Sequence, residues 1–335
     1  MNYKLFAGID ISKKKTDVVF FLSQAPDQAY HQCFENNKKG CLEMLNWIAS
    51  LTAVSFQEML FCAEDTGLYT LPLCTFFSQQ QGKLWIENPL RLKRSLGLKR
   101  GKSDKADALQ IAQYAFLHRS KAILYQLPSK TLTTLKNLIS CRKQLLKHQT
   151  ALKSTCTELN AFDKETASFT LKIRAALIKE HRAKIRLIDE KLLVIIREDA
   201  KLQRQYQLVK SVHGIGVQTA MLIVVTTQGF TLFTDSRKFA CYCGLAPFEN
   251  SSGSSLKGKS KVSHLANKKL KALLTMCALN TIKKDNEFKR YYDRRMKEGK
   301  HHSSVLNALR SKLVSRAFAA VLNDRPYIKE YHQAA

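Results

Sequence analysis

Four acids stand where they could do chemistry. Asp10 closes the short apolar run Lys4–Asp10 (KLFAGID), and Glu64 follows the apolar run Met59–Ala63 (MLFCA). Asp104 and Asp107 lie three residues apart in SDKADALQIAQYAFLH, a spacing that puts two carboxylates on one face of a helix. If the two strands neighbour each other in one sheet, all four acids meet at its edge. Carboxylates at such quarters repel and take up protons unless a cation joins them. A hard divalent cation with oxygen ligands, chiefly Mg²⁺, meets that need. Held by carboxylates, it polarises a phosphoryl oxygen and stabilises the attacking and leaving oxygens of a displacement. Each acid also has a plainer role open to it. Asp104 suits a helix first turn, Asp107 a solvated surface, Glu64 a turn with Asp65-Thr66-Gly67, and Asp10 a hairpin cap. Asp17 and Asp65 are weaker candidates, because Asp17 lies within a strand and Asp65 points away from its neighbour if the strand continues.

The elements that must position these acids are legible as hydrophobic patterns. Lys15–Leu22 reads as a second strand, joined to the first by a hairpin link at residues 11–14, and Tyr30–Phe34 as a third. Residues 38–51 place Leu42, Leu45 and Ile48 at helical spacing. Tyr69–Gln80 reads as a helix, and Lys83–Glu87 as a strand stopped by Pro89. The order is β-β-β-α-β-α-β, antiparallel strands first and parallel units after. That order favours convergence of the acids over their separate roles. Residues 90–103 (LRLKRSLGLKRGKS) read as a mobile basic loop. Ser103 then caps a helix with Ala106, Leu109, Ala112 and Ala115 on one face. Residues 129–162 and 170–206 are long helical stretches without proline, suited to an antiparallel hairpin or coiled coil that acts as spacer or oligomerisation arm. Gly214-Ile215-Gly216 separates two apolar helical segments, either as a phosphate-facing helix-hairpin-helix turn or as a packing turn. Glu249–Ser263 is rich in Ser, Gly and Lys; a basic amphipathic helix follows it, and a further helix covers residues 303–322.

The chain has 335 residues, a length of about two domains. Its 45% hydrophobic content excludes wholesale disorder. It has no apolar run as long as a membrane span and opens without a basic-then-apolar leader, so a cytoplasmic protein with no membrane partner is expected. The charge is lopsided: residues 1–90 carry −2 and residues 91–335 carry +30. A body that cationic needs a polyanion to relieve its self-repulsion, and nucleic acid is the fitting one. Nine cysteines, an odd number mostly in apolar runs, suit reduced thiols. Cys241-x-Cys243 has no second pair to complete a zinc site.

The motifs GID at 8–10, AEDTGLY at 63–69 and KSDKADA at 102–108, then GIG at 214–216, FACYCGLAP at 239–247 and SSGSSLKG at 251–258, resemble those of the DEDD transposases. These are the recombinases of the insertion sequence 110 family, together with the Piv-type DNA invertases. The resemblance runs over roughly residues 4–325. It implies an α/β N-terminal RNase H-like domain of the RuvC type over residues 1–125, a helical coiled-coil oligomerisation arm over 126–206, and a mainly α C-terminal transposase domain over 207–335. It implies that Asp10, Glu64, Asp104 and Asp107 are catalytic and bind Mg²⁺, with Mn²⁺ as a substitute. It further implies that Ser252, directly before Gly253, attacks a DNA phosphate; Ser251, Ser254 and Ser255 are near enough to shift that register. Without the resemblance, SSGSSLKGKSK reads as a flexible basic linker. The chain departs from the family at Asp65, where a small residue is usual, and at Cys241 and Cys243, which replace plainer apolar residues. The implied partners are target and donor DNA, a noncoding guide RNA, and copies of the same chain, two to four in number, in a prokaryotic, nucleoid-associated setting. A guided enzyme needs readout of charge and shape rather than a base-reading helix. Lys99, Arg100 and Lys102, and Lys257, Lys259 and Lys261, are expected on backbone phosphates. Three other readings stay open: an invertase of the same family, a RuvC-like junction resolvase or nuclease that uses water, and a non-catalytic RNA-binding protein.

Overall fold

The computed structural model describes residues 3–95, 103–153, 163–252 and 256–328, with backbone alone at 249–252 and 256–259. The chain forms two compact units, Met1–Leu127 and Pro128–Ala335.

The first unit is a mixed five-stranded sheet with helices on both faces. Its strands are β1 (Leu5–Ile11), β2 (Lys15–Leu22), β3 (Ala25–Glu35), β4 (Met59–Glu64) and β5 (Leu84–Glu87), in the order β3-β2-β1-β4-β5. β1 pairs antiparallel with β2 and parallel with β4, and β4 pairs parallel with β5. Alternation sorts the side chains between two cores. Leu5, Ala7 and Ile9 face α1 (Lys38–Leu51) and α2 (Leu71–Gln79), where Met44, Ile48, Leu73 and Phe77 are buried. Phe6, Phe21, Leu60, Cys62 and Trp85 face α3 (Pro89–Ser95) and α4 (Asp104–Leu117), through Leu92, Ile111, Ala112 and Ala115. At Gly8 the helix lies directly on the strand. A Cβ there would stand 2.1 Å from the Ala108 carbonyl oxygen and 2.2 Å from the Ala112 nitrogen, so only glycine fits.

The third strand is longer than predicted, and the predicted helix at 69–80 begins as a 3-10 turn at Gly67–Thr70 before α2. The basic stretch 90–103 is not all loop. Pro89 starts α3, a position that suits its fixed φ, and Leu92 buries itself at 3% exposure. On α4 the buried face is Ala108, Ile111, Ala112 and Ala115 rather than Ala106 and Leu109, because contact with Gly8 sets the rotation of the helix.

The second unit is mainly helical. α5 (Lys130–Lys153) packs on α6 (Lys164–Glu198), and these are followed by α7 (Ala200–Ser211), α8 (Val217–Thr226) and α9 (Ser236–Tyr242). The pairs Arg142–Asp189, at 2.6 Å, and His148–His181 make α5 and α6 antiparallel. The predicted helix at 170–206 breaks at Asp199, whose extended backbone and side chain cap α7 by accepting from the Leu202 N–H. Strands β6 (Pro247–Ser252) and β7 (Leu256–Val262) form an antiparallel pair where the composition reads as a linker. Helices α10 (Lys268–Thr281), α11 (Glu287–Lys297) and α12 (His302–Leu322) complete the unit, α11 being absent from the sequence reading. Leu135, Leu192, Val209, Ile223, Phe239, Leu274, Leu309 and Phe318 share one core. Gly214 takes φ +89° in the turn between α7 and α8, where a Cβ would press on Thr281. No helix among the described residues is long and apolar enough to cross a membrane.

Candidate active site

The same alternation that builds the inner core carries two acids to one edge. After Phe6 and Gly8, the next β1 residue on the α4 side is Asp10; after Leu60 and Cys62, the next on β4 is Glu64. The parallel register aligns Ile9 with Ala63, so Asp10 and Glu64 follow side by side at the carboxyl ends of their strands. α4 supplies the other two from its first turn. Ser103 caps that turn by accepting from the Ala106 N–H at 3.2 Å; Asp104 lies one turn before Ala108, and Asp107 directly before it, where the helix meets Gly8. The helix start favours negative charge there. All four acids line one cavity of about 440 Å³, with Thr66, Leu92, Lys93, Gln110 and Ile111.

Their charges act on one another. Burial, and then the neighbouring charges of Asp107, Asp104, Glu64 and Asp17, push the Asp10 carboxyl up to about 6. Four oxygen-donor acids are a fitting set for a hard divalent cation. No three His, Cys, Asp or Glu side chains among the described residues already stand as a closed ligand group. Asp104 instead accepts from the Lys15 ammonium at 2.8 Å.

Two further acids on the same face escaped the sequence reading or were underrated by it. Asp17 sits directly opposite Asp10 in the β1–β2 register and is 6% exposed, so its place within a strand puts it on the same face as the cluster. It accepts from Lys15 Nζ at 3.2 Å and from His31 Nε2 at 2.9 Å. Glu87 ends β5 beside Glu64 and is buried; the Tyr114 hydroxyl donates to it at 2.9 Å and the Asn88 N–H at 2.6 Å. Glu87 carries the same sequence signal as Glu64, an acid closing an apolar run.

The remaining predicted residues are placed less fully. Ser252 is the last residue of β6, its backbone paired with Leu256, and Ser251 is paired with Lys257. Both belong to the second unit, and their side chains lie outside the described residues, as do Ser254 and Ser255 altogether. Lys257 and Lys259 are described by backbone alone on β7, and Lys261 is exposed there. Lys99, Arg100 and Lys102 lie outside the described residues.

With this geometry in view, comparison with known proteins is specific. Residues 7–159, which hold all four cavity acids, match a model of DEDD transposases described as "Transposase". Residues 206–293 match "Transposase IS116/IS110/IS902 family". The chain belongs to the IS110 family of transposases, a family of DNA-processing enzymes. It is similar to the pilin gene-inverting proteins of Moraxella bovis and Moraxella lacunata, at 25% identity over 339 residues, covering 98% of this chain and 99% of each relative. It is also 35% identical over 109 residues, 32% of this chain and 27% of the relative, to the insertion element IS110 uncharacterized 43.6 kDa protein of Streptomyces coelicolor.

Proposed function

We propose that this chain mobilises an insertion sequence, cutting and rejoining DNA with the acids Asp10, Glu64, Asp104 and Asp107 as its Mg²⁺ site and Ser252 as its nucleophile. The observation that carries this reading is the convergence of four acids from three distant stretches on one cavity. Mg²⁺ or Mn²⁺ held by these carboxylates would polarise the scissile phosphate and steady the charge of the displacement. The Ser252 oxygen forms a bond to phosphorus while the bond to the 3′-oxygen breaks, and the serine proton ends on that departing oxygen. The phosphoserine ester keeps the bond energy, so another strand's 3′-hydroxyl rejoins the backbone by the reverse exchange. Lys257, Lys259 and Lys261, and Lys99, Arg100 and Lys102, hold backbone phosphates of target and donor DNA and of a noncoding guide RNA.

In this reading residues 1–125 are a RuvC-type metal domain, 126–206 a coiled-coil arm, and 207–335 the serine-bearing domain. The arm assembles copies of the chain. α6 leaves Phe169, Ile173 and Leu177 exposed at four-residue intervals, one stripe that a second copy would cover. A DNA invertase with the same chemistry is the second reading, supported by the near full-length similarity to the two pilin gene-inverting proteins. The DNA flanking the gene separates the two, by showing either element ends or an invertible segment.

The test of the chemistry is a covalent protein–DNA adduct on a denaturing gel. Wild-type protein with Mg²⁺ is expected to form it, and Ser252→Ala to bind DNA without forming it. Adduct formation by Ser252→Ala removes that serine from the mechanism.

A further inference from the structure

We infer that Lys15 is a positioning residue whose ammonium acts as a built-in counter-cation of the carboxylate cluster, holding Asp104 until a divalent cation displaces it. This rests on the metal reading of the cavity.

Lys15 and Asp104 are 89 residues apart in sequence, yet Lys15 Nζ stands 2.8 Å from Asp104 Oδ2. The same nitrogen is 3.2 Å from Asp17 Oδ2. Asp17 is the anchor of the arrangement. It is 6% exposed, and His31 holds its other oxygen at 2.9 Å. Lys15 is itself pinned, because its carbonyl accepts from the Ser12 N–H at 2.9 Å and from the Ser12 hydroxyl at 2.8 Å in the β1–β2 hairpin. Its ammonium therefore starts from a fixed backbone position beside the cavity.

Electrostatics decides what such a lysine does. Asp10 feels the charges of Asp107, Asp104, Glu64 and Asp17 together. One ammonium bonded to two of these carboxylates relieves part of that repulsion in the metal-free protein. A divalent cation relieves more, but it competes with Lys15 for Asp104 Oδ2 and meets a like charge at short range. Lys15 thus steadies the empty cluster and competes with the metal. The Lys15–Asp104 pair is itself half-exposed, so the effect is modest; what sets it apart from an ordinary surface pair is the second bond, to the buried Asp17.

The experiment titrates Mn²⁺ alone into chelator-treated full-length protein, read by calorimetry and by the rise in Tm. Lys15→Met is expected to lower the half-saturating Mn²⁺ about three- to tenfold and to enlarge the metal-induced rise in Tm. Lys15→Arg, which keeps the charge, is expected to track wild type. Half-saturation that is unchanged or raised in Lys15→Met overturns the proposal. So does a Lys15→Met protein that fails to fold in the presence of Mn²⁺, because the metal should replace the lost ammonium. Lys15→Gln repeats the test with a polar side chain. A wild-type protein with no saturable Mn²⁺ response sinks the metal reading itself. A wild-type response abolished by Asp10→Asn but indifferent to Lys15→Met sinks the lysine's role alone.

Discussion

Replacing Asp10 by asparagine keeps the shape of the side chain and removes its charge, and the metal-free protein should become more stable for it. The native Asp10 carboxyl titrates at about 6 rather than at the ordinary 3.8, through burial first and then the charges of Asp107, Asp104, Glu64 and Asp17. A carboxyl whose folded pKa is raised opposes folding once it ionises. The penalty is absent below the unfolded pKa, grows as pH rises from about 4 to about 6, and is complete above that. Counted at about 1.36 kcal/mol per tenfold change in proton affinity, the shift corresponds to at most about 3 kcal/mol. Asp10 is partly open to solvent, which screens this to about 1–2 kcal/mol. In EDTA at neutral pH, Asp10→Asn is expected to raise the unfolding temperature of the first unit by about 3–8 °C. The gap should close as pH falls towards about 4. With Mg²⁺ present the order should reverse, because only wild type gains a bound cation. Thermal unfolding followed by circular dichroism measures all three. A variant less stable than wild type in EDTA at neutral pH, or a gap that widens on acidification, refutes the idea that these acids share one field.

Two other outcomes are expected, one from the geometry at Gly8 and one from the role proposed for Ser252. Gly8→Ala puts a methyl group 2.1–2.2 Å from backbone atoms of Ala108 and Ala112, which cannot yield as a side chain would. It should cost about 3 kcal/mol or more in stability and displace Asp104 and Asp107 from the cavity, read as lower Tm and weaker Mn²⁺ binding. Ser252→Ala should lower adduct formation to background while leaving DNA affinity within about twofold of wild type; a matching fall in affinity would mark Ser252 as a binding residue instead.

The inner strands and their acids were readable because buried strands are apolar and alternate. KLFAGID and MLFCAE each bring an acid to the carboxyl end on the α4 side of the sheet, and the SDKAD spacing puts two more on a helix start. Pairing partners were not readable. Nothing in KKKTD says that Lys15 reaches Asp104, since that contact depends on where α4 lies. The rotation of α4 escaped too, because Gly8 sets it and a glycine advertises no contact of its own. The strands β6 and β7 misled by composition: an antiparallel pair rich in Ser, Gly and Lys has the makeup of a linker. The stretch after Pro89 misled for the same reason, its arginines and lysines hiding the one leucine that anchors α3.

The most direct measurement is anomalous diffraction from crystals soaked in Mn²⁺. The expected result is a peak in the cavity with oxygen ligands from Asp10, Glu64 and the Asp104/Asp107 pair, and with the Lys15 ammonium moved off Asp104. Manganese bound only elsewhere, with these acids still turned to protein partners at saturating metal, would contradict the shared-cation site.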